Sequence, residues 1–274
     1  MPLSVCATPI GNLDDVTLRV LDALRTADVV LCEDTRRTRI LLDRHGIEAA
    51  RLFSYHRHNE ASRTAEVLER LARGETVALV SDAGLPGVND PGARLITEAI
   101  AAGFPVSVLP GASAVETALV ASGLVGERYQ FVGYLPRRPG ELRALAEELA
   151  RWSHPVVAFE SPRRLPVSLR VLGETMPGRP AAVCRELTKR FEEVVRGPLE
   201  RLAERFAEPP KGEVTLVLGA VDPAAGGADV AVSAEAATAA VAELVAAGVA
   251  RKRAADLVSR LTGRPRNELY RSSL

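Results

Sequence analysis

Apolar and polar positions alternate along the first half of the chain in a way that predicts strands and helices in turn. Short apolar runs are typical of strands buried on both faces, and apolar positions three and four residues apart are typical of amphipathic helices. The predicted strands are Leu3–Ala7, Val29–Cys32, Leu52–Ser54, Thr76–Val80 and Pro105–Leu109. Helices are predicted from about Thr17, through Leu42, over Ala61–Arg73, from Asp90-Pro91 to Gly103, and up to Gly123. This order predicts an α/β unit with a parallel sheet.

A second set of apolar runs follows in the next hundred or so residues, as expected for another domain of ordinary size. The predicted strands there are Tyr129–Gly133, Pro155–Phe159, Ala181–Cys184, Phe191–Val195 and Glu213–Leu218. Helices are predicted over Glu141–Ala150 and from Ser161-Pro162 onwards. Because little more than a short helix fits between the last two strands, we expect a mixed sheet with antiparallel members.

The last part of the chain has a different composition. Residues 222–230, DPAAGGADV, are typical of a linker. Helices are predicted after it at about Ala234–Ala247, Ala250–Leu261 and Pro265–Arg271. The sequence therefore predicts an N-terminal α/β domain (1–123), a C-terminal α/β domain with a mixed sheet (124–221) and a helical basic tail (231–274).

The charge of the chain is balanced overall and uneven locally. Among 274 residues, 35 Lys and Arg oppose 35 Asp and Glu, so no global positive field indicates a nucleic-acid partner. The hydrophobic fraction of 47% is that of a globular protein. In the tail, residues 251–274 hold seven basic residues against two acidic ones, whereas residues 221–250 hold four acidic residues and no basic one. Affinity for a polyanion is therefore expected to be local.

Cysteine and histidine positions give no sign of a disulfide or a metal site. Cys6, Cys32 and Cys184 lie in apolar runs, which is typical of reduced, buried thiols. His56 and His58 lack partners at metal-binding spacing. The chain also shows no signal-peptide pattern and no sustained apolar stretch of membrane-span length. We therefore expect a cytoplasmic protein without a metal and without membrane contact.

Three loops rich in small residues follow predicted parallel strands: Thr8–Asn12, Ser81–Pro86 and Gly111–Ala114. Each alone resembles a plain strand-to-helix turn, and no GxGxxG fingerprint is present. Together they converge on the carboxyl edge of one sheet, where open α/β folds bind ligands. Asp82 is expected either to accept hydrogen bonds from a ligand or to close a turn, and Asp90 is expected to cap the next helix.

Charged residues also follow other strands. Glu33 and Asp34 come after the second strand, where they either add carboxylates to the same edge or complement a helix dipole. In the second half, Glu186 and Lys189 form either a structural ion pair or a base with its orienting cation. The sequence leaves both alternatives open.

Several segments together resemble the tetrapyrrole-methylase superfamily of S-adenosylmethionine-dependent methyltransferases. They are TPIGNLDD, CEDTRRT, SDAGLPGVNDPG, PGASA, FVGYLPR, FESPRR and RELTKRFEE. Within that superfamily, the stretch from about Val5 to Leu218 is similar to the ribosomal RNA small subunit methyltransferase I family, the cytidine 2′-O-methyltransferases. The basic tail resembles that family's C-terminal extension. The combination of motifs is specific, although no single motif is.

The resemblance implies a two-domain class III methyltransferase fold, a homodimer, and S-adenosylmethionine bound in the cleft between the α/β domains. Cofactor contacts are implied for Pro9, Ile10, Gly11, Asn12, Asp82, Leu85, Gly111, Ser113, Ala114, Phe159, Glu160 and Arg185. Leu85 stands where the family commonly has Thr, so a backbone contact alone is expected there. Cys184 stands where the family commonly has Ala.

The implied reaction is methylation of the ribose 2′-oxygen of a decoding-centre cytidine, with the small ribosomal subunit or its 16S ribosomal RNA as partner. A neutral hydroxyl is a poor nucleophile, so a carboxylate or lysine is expected to take its proton. The candidates, in falling order, are Glu186, Lys189, Glu33 and Asp34. Phosphate contacts are expected from Arg36, Arg37, Arg137, Arg138, Arg163, Arg164, Arg251, Lys252 and Arg253.

Two other functions remain as alternatives. The same fold methylates precorrin-type tetrapyrroles, but the arginine-rich loops and the basic tail suit a polyanion better than a macrocycle. A non-catalytic RNA-binding or assembly protein is the other alternative, and such a protein has no need for three convergent ligand loops.

Overall fold

A five-stranded parallel sheet forms the first part of the fold in the computed structural model. Its strands are β1 (Leu3–Cys6), β2 (Val29–Cys32), β3 (Leu52–Ser54), β4 (Val77–Val80) and β5 (Val106–Leu109). They lie in the order β3-β2-β4-β1-β5, with Leu3 in register with both Val77 and Val106. The predicted parallel sheet is confirmed. The chain leaves β1 towards β2 and leaves β4 towards β5, so these two neighbouring strands mark the switch point where open α/β sheets bind ligands.

Four helices cover both faces of this sheet: α1 (Leu18–Thr26), α2 (Thr35–Arg44), α3 (Glu60–Ala72) and α4 (Ala93–Ala101). The apolar stripes of α1 and α2 bury Leu24 and Leu41 against one face. Those of α3 and α4 bury Leu71 and Leu95 against the other. Burial on both faces explains why the strands read as continuous apolar runs.

A second, mixed sheet follows in the chain. Its strands are β6 (Gln130–Tyr134), β7 (Val156–Glu160), β8 (Pro180–Arg185), β9 (Glu193–Pro198) and β10 (Val214–Leu218). They lie in the order β6-β7-β10-β8-β9, and β6 pairs with β7 in parallel while the other three pairs are antiparallel. The predicted mixed sheet is confirmed.

Helices cover both faces of the second sheet as well. They are α5 (Ala114–Ser122) on one face and α6 (Pro139–Leu149), α7 (Leu165–Thr175) and α8 (Leu199–Arg205) on the other. Leu119 of α5 packs in one cluster with Val157 and Val217, and the Arg196 Nε donates to the carbonyl of Ser122 at 2.8 Å. By packing, α5 belongs with the second sheet, although the sequence prediction places it in a domain ending at residue 123. That domain boundary stays a prediction.

The structure describes residues 2–221, 234–262 and 264–272, and the chain divides into two compact units, Met1–Val221 and Asp222–Leu274. The predicted linker at 222–230 and the tail positions 231–233, 263 and 273–274 lie outside the described residues. In the second unit the helices are α9 (Ala234–Ala246), α10 (Arg251–Thr262) and α11 (Arg266–Ser272). They share a small core that contains Val241, Val258 and Leu269.

The cysteines are buried and unpaired, as predicted. Burial raises the pKa of Cys6 and Cys184 to about 12 and that of Cys32 to about 11, so these thiols are unreactive at neutral pH. None of the helices in the described part of the chain is long and apolar enough to cross a membrane. Among the same residues, no group of three or more His, Cys, Asp or Glu side chains could hold a metal ion.

Candidate active site

The carboxyl edge of the parallel sheet opens into a cavity of about 780 Å³. Loops that follow β1, β2, β4 and β5 form one side of it, and residues of β6, β7 and β10 form the other. The volume is typical of a site for a small molecule or cofactor. Its position coincides with the switch point between β1 and β4.

The loops after β1 and β4 are joined to each other. Thr8 and Gly84 form an isolated antiparallel bridge, with both N–H groups donating across it at 2.8 and 2.9 Å. The Thr8 hydroxyl also donates to the carbonyl of Ser81 at 3.0 Å. Gly84 has φ +75°, a conformation that favours glycine. These bonds hold the two predicted ligand loops in one rigid wall.

The loop after β5 lies close to the same wall. A side chain at Gly111 would bring its Cβ within 2.9 Å of the Ala7 Cβ, so this position requires glycine. Ser113 and Ala114 follow at the start of α5 and also line the cavity. The three loops that the sequence singled out therefore meet, as predicted.

Aromatic rings form the opposite wall. Phe131 and Tyr134 of β6 each contact Phe159 of β7 edge to face, with ring centroids 4.9 and 5.5 Å apart. All three rings line the cavity. Phe131 and Tyr134 were not assigned to the site from the sequence, although both lie in the FVGYLPR segment. Flat apolar surfaces of this kind suit a nucleoside base.

A group of carboxylates also belongs to the cavity. Glu33, Asp82 and Asp90 all line it. Asp82 accepts a hydrogen bond from the Asp34 N–H at 3.0 Å and lies 3.5 Å from the Arg37 guanidinium. Burial and the charge of Asp82 raise the pKa of Glu33, while burial and the charges of Glu33 and Asp82 raise the pKa of Asp90 to about 6.

The prediction that Asp90 caps a helix is wrong. Helix α4 begins at Ala93, its N-cap is Gly92 with φ +135°, and no side chain caps it. The turn between β4 and α4 is longer than the Asp-Pro pair suggested. Asp90 instead belongs to the residues that line the cavity.

Most of the predicted cofactor residues surround this cavity. Its lining contains Ile10, Asp82, Leu85, Gly111, Ser113, Ala114, Phe159 and Glu160. Pro9 and Gly11 line an adjoining groove of about 260 Å³ that shares Ile10 and Asp82 with the cavity.

Asn12 and Arg185 are absent from both linings, so the structure does not support their assignment to the cofactor. Asn12 accepts from the Asp14 N–H at 3.1 Å and so caps the short 3₁₀ turn Leu13–Asp15. The Arg185 guanidinium pairs with Glu193 at 2.9 Å and bonds to the Lys211 carbonyl.

Glu160 reaches the cavity wall, but its carboxylate is not available to a ligand. The side chain is 0% exposed and is paired with Arg164, whose Nε donates to it at 2.8 Å. The Ser168 hydroxyl and the Ser161 N–H also donate to this carboxylate. Arg164 in turn donates to the Leu135 carbonyl at 2.6 Å. Both charges are therefore structural, which argues against Arg164 as a phosphate contact.

Glu186 and Lys189, the first two candidates for the base, form a closed ionic network. The Lys189 Nζ lies 2.9 Å from Glu186 and 3.0 Å from Glu213, and Glu186 also accepts from the Glu213 N–H at 2.9 Å. That backbone bond and Lys189 lower the pKa of Glu186. Burial opposes the charged form of Lys189, but its two carboxylate partners raise its pKa overall. The structure thus favours the ion-pair alternative over the catalytic one.

Asp34 is the other candidate that the geometry disfavours. Its carboxylate caps α2 by accepting from the Arg36 N–H at 2.9 Å, and it pairs with the Arg36 guanidinium at 2.7 Å. These bonds lower the pKa of Asp34 to about 2. Of the four candidates, Glu33 alone lines the main cavity and has a raised pKa.

The predicted RNA-contacting residues fall into three groups. Arg37 lines the cavity with a 61% exposed side chain, while Arg36 and Arg138 are exposed but paired with Asp34 and Glu141. Four others are exposed without such a pair among the described ion pairs: Arg137, Arg163 and, in the tail, Lys252 and Arg253. Arg251 is half-buried at the start of α10.

Residues 2–203 match the family of Tetrapyrrole (Corrin/Porphyrin) Methylases. Solved structures share the fold. Cobalt precorrin-4 methyltransferase is 17% identical with a TM-score of 0.58, and the match covers 79% of this chain and 94% of that one. Uroporphyrin-III C-methyltransferase from Thermus thermophilus, in complex with S-adenosylhomocysteine, matches at 21% identity and TM-score 0.56, covering 80% of this chain and 97% of that one.

Curated relatives are much more similar in sequence, and each is called ribosomal RNA small subunit methyltransferase I. The Mycobacterium tuberculosis protein is 48% identical over 79% of this chain and 77% of its own length. The Micromonospora olivasterospora protein is 41% identical over 98% of this chain and 85% of its own length. The chain therefore belongs to the tetrapyrrole methylase family of S-adenosylmethionine-dependent methyltransferases, within its ribosomal RNA small subunit methyltransferase I group.

Proposed function

We propose that this protein transfers a methyl group from S-adenosylmethionine to the ribose 2′-oxygen of a decoding-centre cytidine in the RNA of the small ribosomal subunit. The observation that carries the proposal is the cavity at the β1–β4 switch point, which combines backbone loops, an aromatic wall and a carboxylate cluster. The names of the relatives identify the RNA of the small subunit as the substrate.

The residues of the cavity fit the cofactor. Gly84 and Gly111 leave bare backbone at the wall, and Gly111 stands where any side chain would collide with Ala7. The aromatic wall offers a flat apolar face for the adenine ring, and Asp82 offers oxygen acceptors for an ammonium group or ribose hydroxyls. When bound, S-adenosylmethionine supplies an electrophilic methyl group on a sulfonium centre.

The work left to the protein is alignment and proton transfer. The joined loops after β1 and β4, with the loop after β5 close beside them, form the wall against which the reactants are held. Fixed orientation supplies much of the rate of such a transfer. The 2′-hydroxyl is neutral, so an acceptor for its proton is needed within hydrogen-bond reach. Glu33 belongs to the group of carboxylates in the cavity that can provide one.

RNA is held, in this proposal, by cationic groups around the opening and on the tail. Arg37 at the cavity, exposed Arg137 and Arg163, and Lys252 and Arg253 of α10 supply phosphate contacts. Replacing both Lys252 and Arg253 by Glu is expected to weaken RNA binding and flatten its salt dependence, while leaving the affinity for S-adenosylmethionine unchanged. An unchanged salt slope would remove the tail from the RNA surface.

We also propose that the protein acts as a homodimer in the cytoplasm, where ribosomal subunits are available. β5 is an edge strand with Val108 52% exposed, and Val120 of α5 is 70% exposed. Exposed apolar side chains at a sheet edge are typical of surfaces that a second chain covers. Sedimentation equilibrium of the full chain tests this assembly, and a monomer at micromolar concentration would contradict it.

The decisive experiment supplies methyl-labelled S-adenosylmethionine together with assembled small subunits, naked small-subunit RNA or a tetrapyrrole. We expect label in the RNA, at the 2′-oxygen of one cytidine, as mapped by digestion and mass spectrometry. Gly111→Ala is expected to lower the label strongly, because the added Cβ collides with Ala7 in the cavity wall, whereas Gly140→Ala, whose added Cβ meets nothing within 4 Å, is the matched control. Label in the tetrapyrrole alone would overturn the proposal.

A further inference from the structure

Asp90 is held in the cavity by an unusual loop. Between β4 and α4 the backbone passes through positive φ at Gly87 (+86°), Asn89 (+60°) and Gly92 (+135°). Asn89 is not a glycine, but Asn is one of the few other residues that adopt this conformation readily. Asp90 follows Asn89 directly in this loop and lines the cavity.

Contacts on both sides fix this loop. The Arg57 Nη2 donates to the Asn89 carbonyl at 3.1 Å. On the other side the Asn89 amide packs against Gly133 of β6, where an added Cβ would lie 3.1 Å from the Asn89 Oδ1. Gly133 itself has φ +70° and interrupts the regular register of β6 with β7. The loop that carries Asp90 is thus clamped between the first and second sheets, as a precisely placed functional group requires.

The groups that face Asp90 come from four elements. Glu33 and Asp82, after β2 and β4, place negative charge beside it, and Arg57, after β3, places positive charge there. The Tyr134 ring at the end of β6 is also close enough for the Asp90 charge to raise the pKa of its hydroxyl, after burial as the larger cause. The Ser81 hydroxyl lies within hydrogen-bond reach. Two carboxylates and partial burial outweigh one guanidinium, which makes Asp90 an unusually basic carboxylate.

We propose that Asp90 is the general base of the methyl transfer and that Glu33, a neighbouring carboxylate of the same cavity lining, is a positioning residue that acts through Asp90. The inference rests on the proposed function. In this step the O–H bond of the ribose 2′-hydroxyl breaks and its proton goes to a carboxylate oxygen of Asp90. The electron pair of the 2′-oxygen forms the new bond to the methyl carbon, and the bond from that carbon to sulfur breaks with its electrons left on sulfur. Asp90 then releases the proton to water.

The other candidates are less suited to this role. A base is most effective when its pKa lies near the working pH, and that of Asp90 is about 6. Asp34, with a pKa of about 2, and Glu186, whose pKa is lowered, are weaker bases. Lys189 is held protonated by its two carboxylate partners and has no electron pair to offer.

The first test is Asp90→Asn in the full chain, assayed on small ribosomal subunits with methyl-labelled S-adenosylmethionine. We expect kcat to fall by about 10²–10⁴-fold, the usual contribution of a general base, with the dissociation constant for S-adenosylmethionine, measured by calorimetry, within about twofold of wild type. Asp22→Asn is the matched control, because Asp22 is a 74% exposed carboxylate on α1 that pairs with Arg25. A kcat for Asp90→Asn within about tenfold of the control would overturn the assignment.

The second test is the pH dependence of kcat/KM. The wild type should lose activity as the pH falls through about 6, because Asp90 becomes protonated. Glu33→Gln should move this limb to lower pH, since removing a like charge makes Asp90 easier to ionise. A structural role of Glu33 would lower the rate without moving the limb, and an unmoved limb would overturn the role of Glu33.

Asp90→Glu serves as a second variant, because it keeps a carboxylate and should retain an acid limb with more activity than Asp90→Asn. Equal activity of the two variants would argue against proton transfer at this position. A wild-type protein that labels no small-subunit cytidine would refute the proposed function itself. An active wild type with an unimpaired Asp90→Asn variant would refute the assignment of Asp90 alone.

Discussion

The carboxylates at the edge of the parallel sheet differ sharply from those at the strand ends of the mixed sheet. Glu33 and Asp90 line an open cavity, and burial together with neighbouring negative charge raises the pKa of each. Glu160 ends β7 and Glu186 follows β8, but each is bound to a cation and to a backbone N–H. The same residue type at the same kind of position is therefore open to a ligand in one sheet and bound within the protein in the other.

Strand direction accounts for much of this difference. In the parallel sheet all carboxyl ends lie at one edge, so their loops enclose a space that no other element of the sheet fills. In the mixed sheet, the end of β8 lies beside the start of β10, and Arg185 is in register with Val214. The residues just before an antiparallel strand therefore lie beside the end of its neighbour and can pair with charged groups there. Glu213, which precedes β10, pairs in this way with Lys189, which follows β8. An antiparallel strand end is thus more easily satisfied from within the protein.

The largest expected effect concerns the buried pair of the second sheet. Arg164→Met should lower the free energy of unfolding by about 3–5 kcal/mol, because it leaves the fully buried Glu160 carboxylate without its cation. Urea denaturation at pH 7 measures the loss. Arg143→Met is the matched control, since Arg143 pairs with Glu174 at 3.4 Å on the surface and should cost no more than about 0.5 kcal/mol.

The size of this loss tests whether Glu160 and Arg164 are a structural pair. Arg164→Lys is the conservative variant, because it keeps a cation beside Glu160 and should lose less stability than Arg164→Met. A loss below about 1 kcal/mol at pH 7 would mean that the buried pair stabilises the fold no more than a surface pair does. Glu160 and Arg164 would then not be a structural pair, and the contrast between the two sheets would not hold.

Replacing Asp90 is expected to raise the free energy of unfolding, whereas replacing Arg164 lowers it. Its pKa of about 6 lies above the ordinary value of 3.8, so ionisation destabilises the folded state and the penalty is complete once the pH exceeds 6. Allowing for partial exposure, Asp90→Asn should therefore raise the free energy of unfolding at pH 8 by about 1–2 kcal/mol. At pH 4 the gain should be much smaller, because the folded wild type is then protonated at this position.

Denaturant unfolding at the two pH values measures this gain, with Asp22→Asn as the control that should change little at either. A stabilised but inactive variant is the signature of a carboxylate retained for chemistry at a cost in stability. A destabilisation at both pH values would instead place Asp90 among the structural carboxylates and erase the difference between the sheets.

The strands and the ligand loops could be predicted from the sequence, whereas the start of one helix at the site could not. Strand positions followed from uninterrupted apolar runs, and β2 and β3 begin and end at the predicted residues. The three ligand loops followed from small residues placed after parallel strands. The helix start after Asp90 was mispredicted, because an Asp-Pro pair satisfies the local rules of capping while the Gly92 backbone and the contacts of Asn89 decide where α4 begins.

The sequence alone could not predict which charged residues are paired within the protein, because the partners that decide this are often distant in the chain. Glu186 and Glu33 each follow a buried strand and each has a basic residue nearby in the chain. What separates them is Glu213, which is distant in sequence and donates its N–H to Glu186 at 2.9 Å. The pairing of Glu160 with Arg164 is local, but the zero exposure that makes it structural depends on packing around β7 and α7.

The smallest expected effect belongs to Glu186→Gln. The amide oxygen can still accept from the Glu213 N–H, and Lys189 keeps its bond to the Glu213 carboxylate at 3.0 Å, so the cost should be about 0.5–1 kcal/mol. The lowered pKa of Glu186 means that its stabilisation is present above the ordinary value of 4.5 and is lost as the pH falls through the lower folded value. The difference in the free energy of unfolding between variant and wild type should accordingly be constant from pH 6 to 8 and narrow below pH 4.

Because Glu186 lies outside the cavity, the acid limb of kcat/KM for Glu186→Gln should stay where it is in the wild type, whereas Glu33→Gln moves it. A Glu186→Gln variant that shifts this limb would show that the closed network communicates with the proton acceptor, and the division between a functional and a structural sheet edge would have to be abandoned.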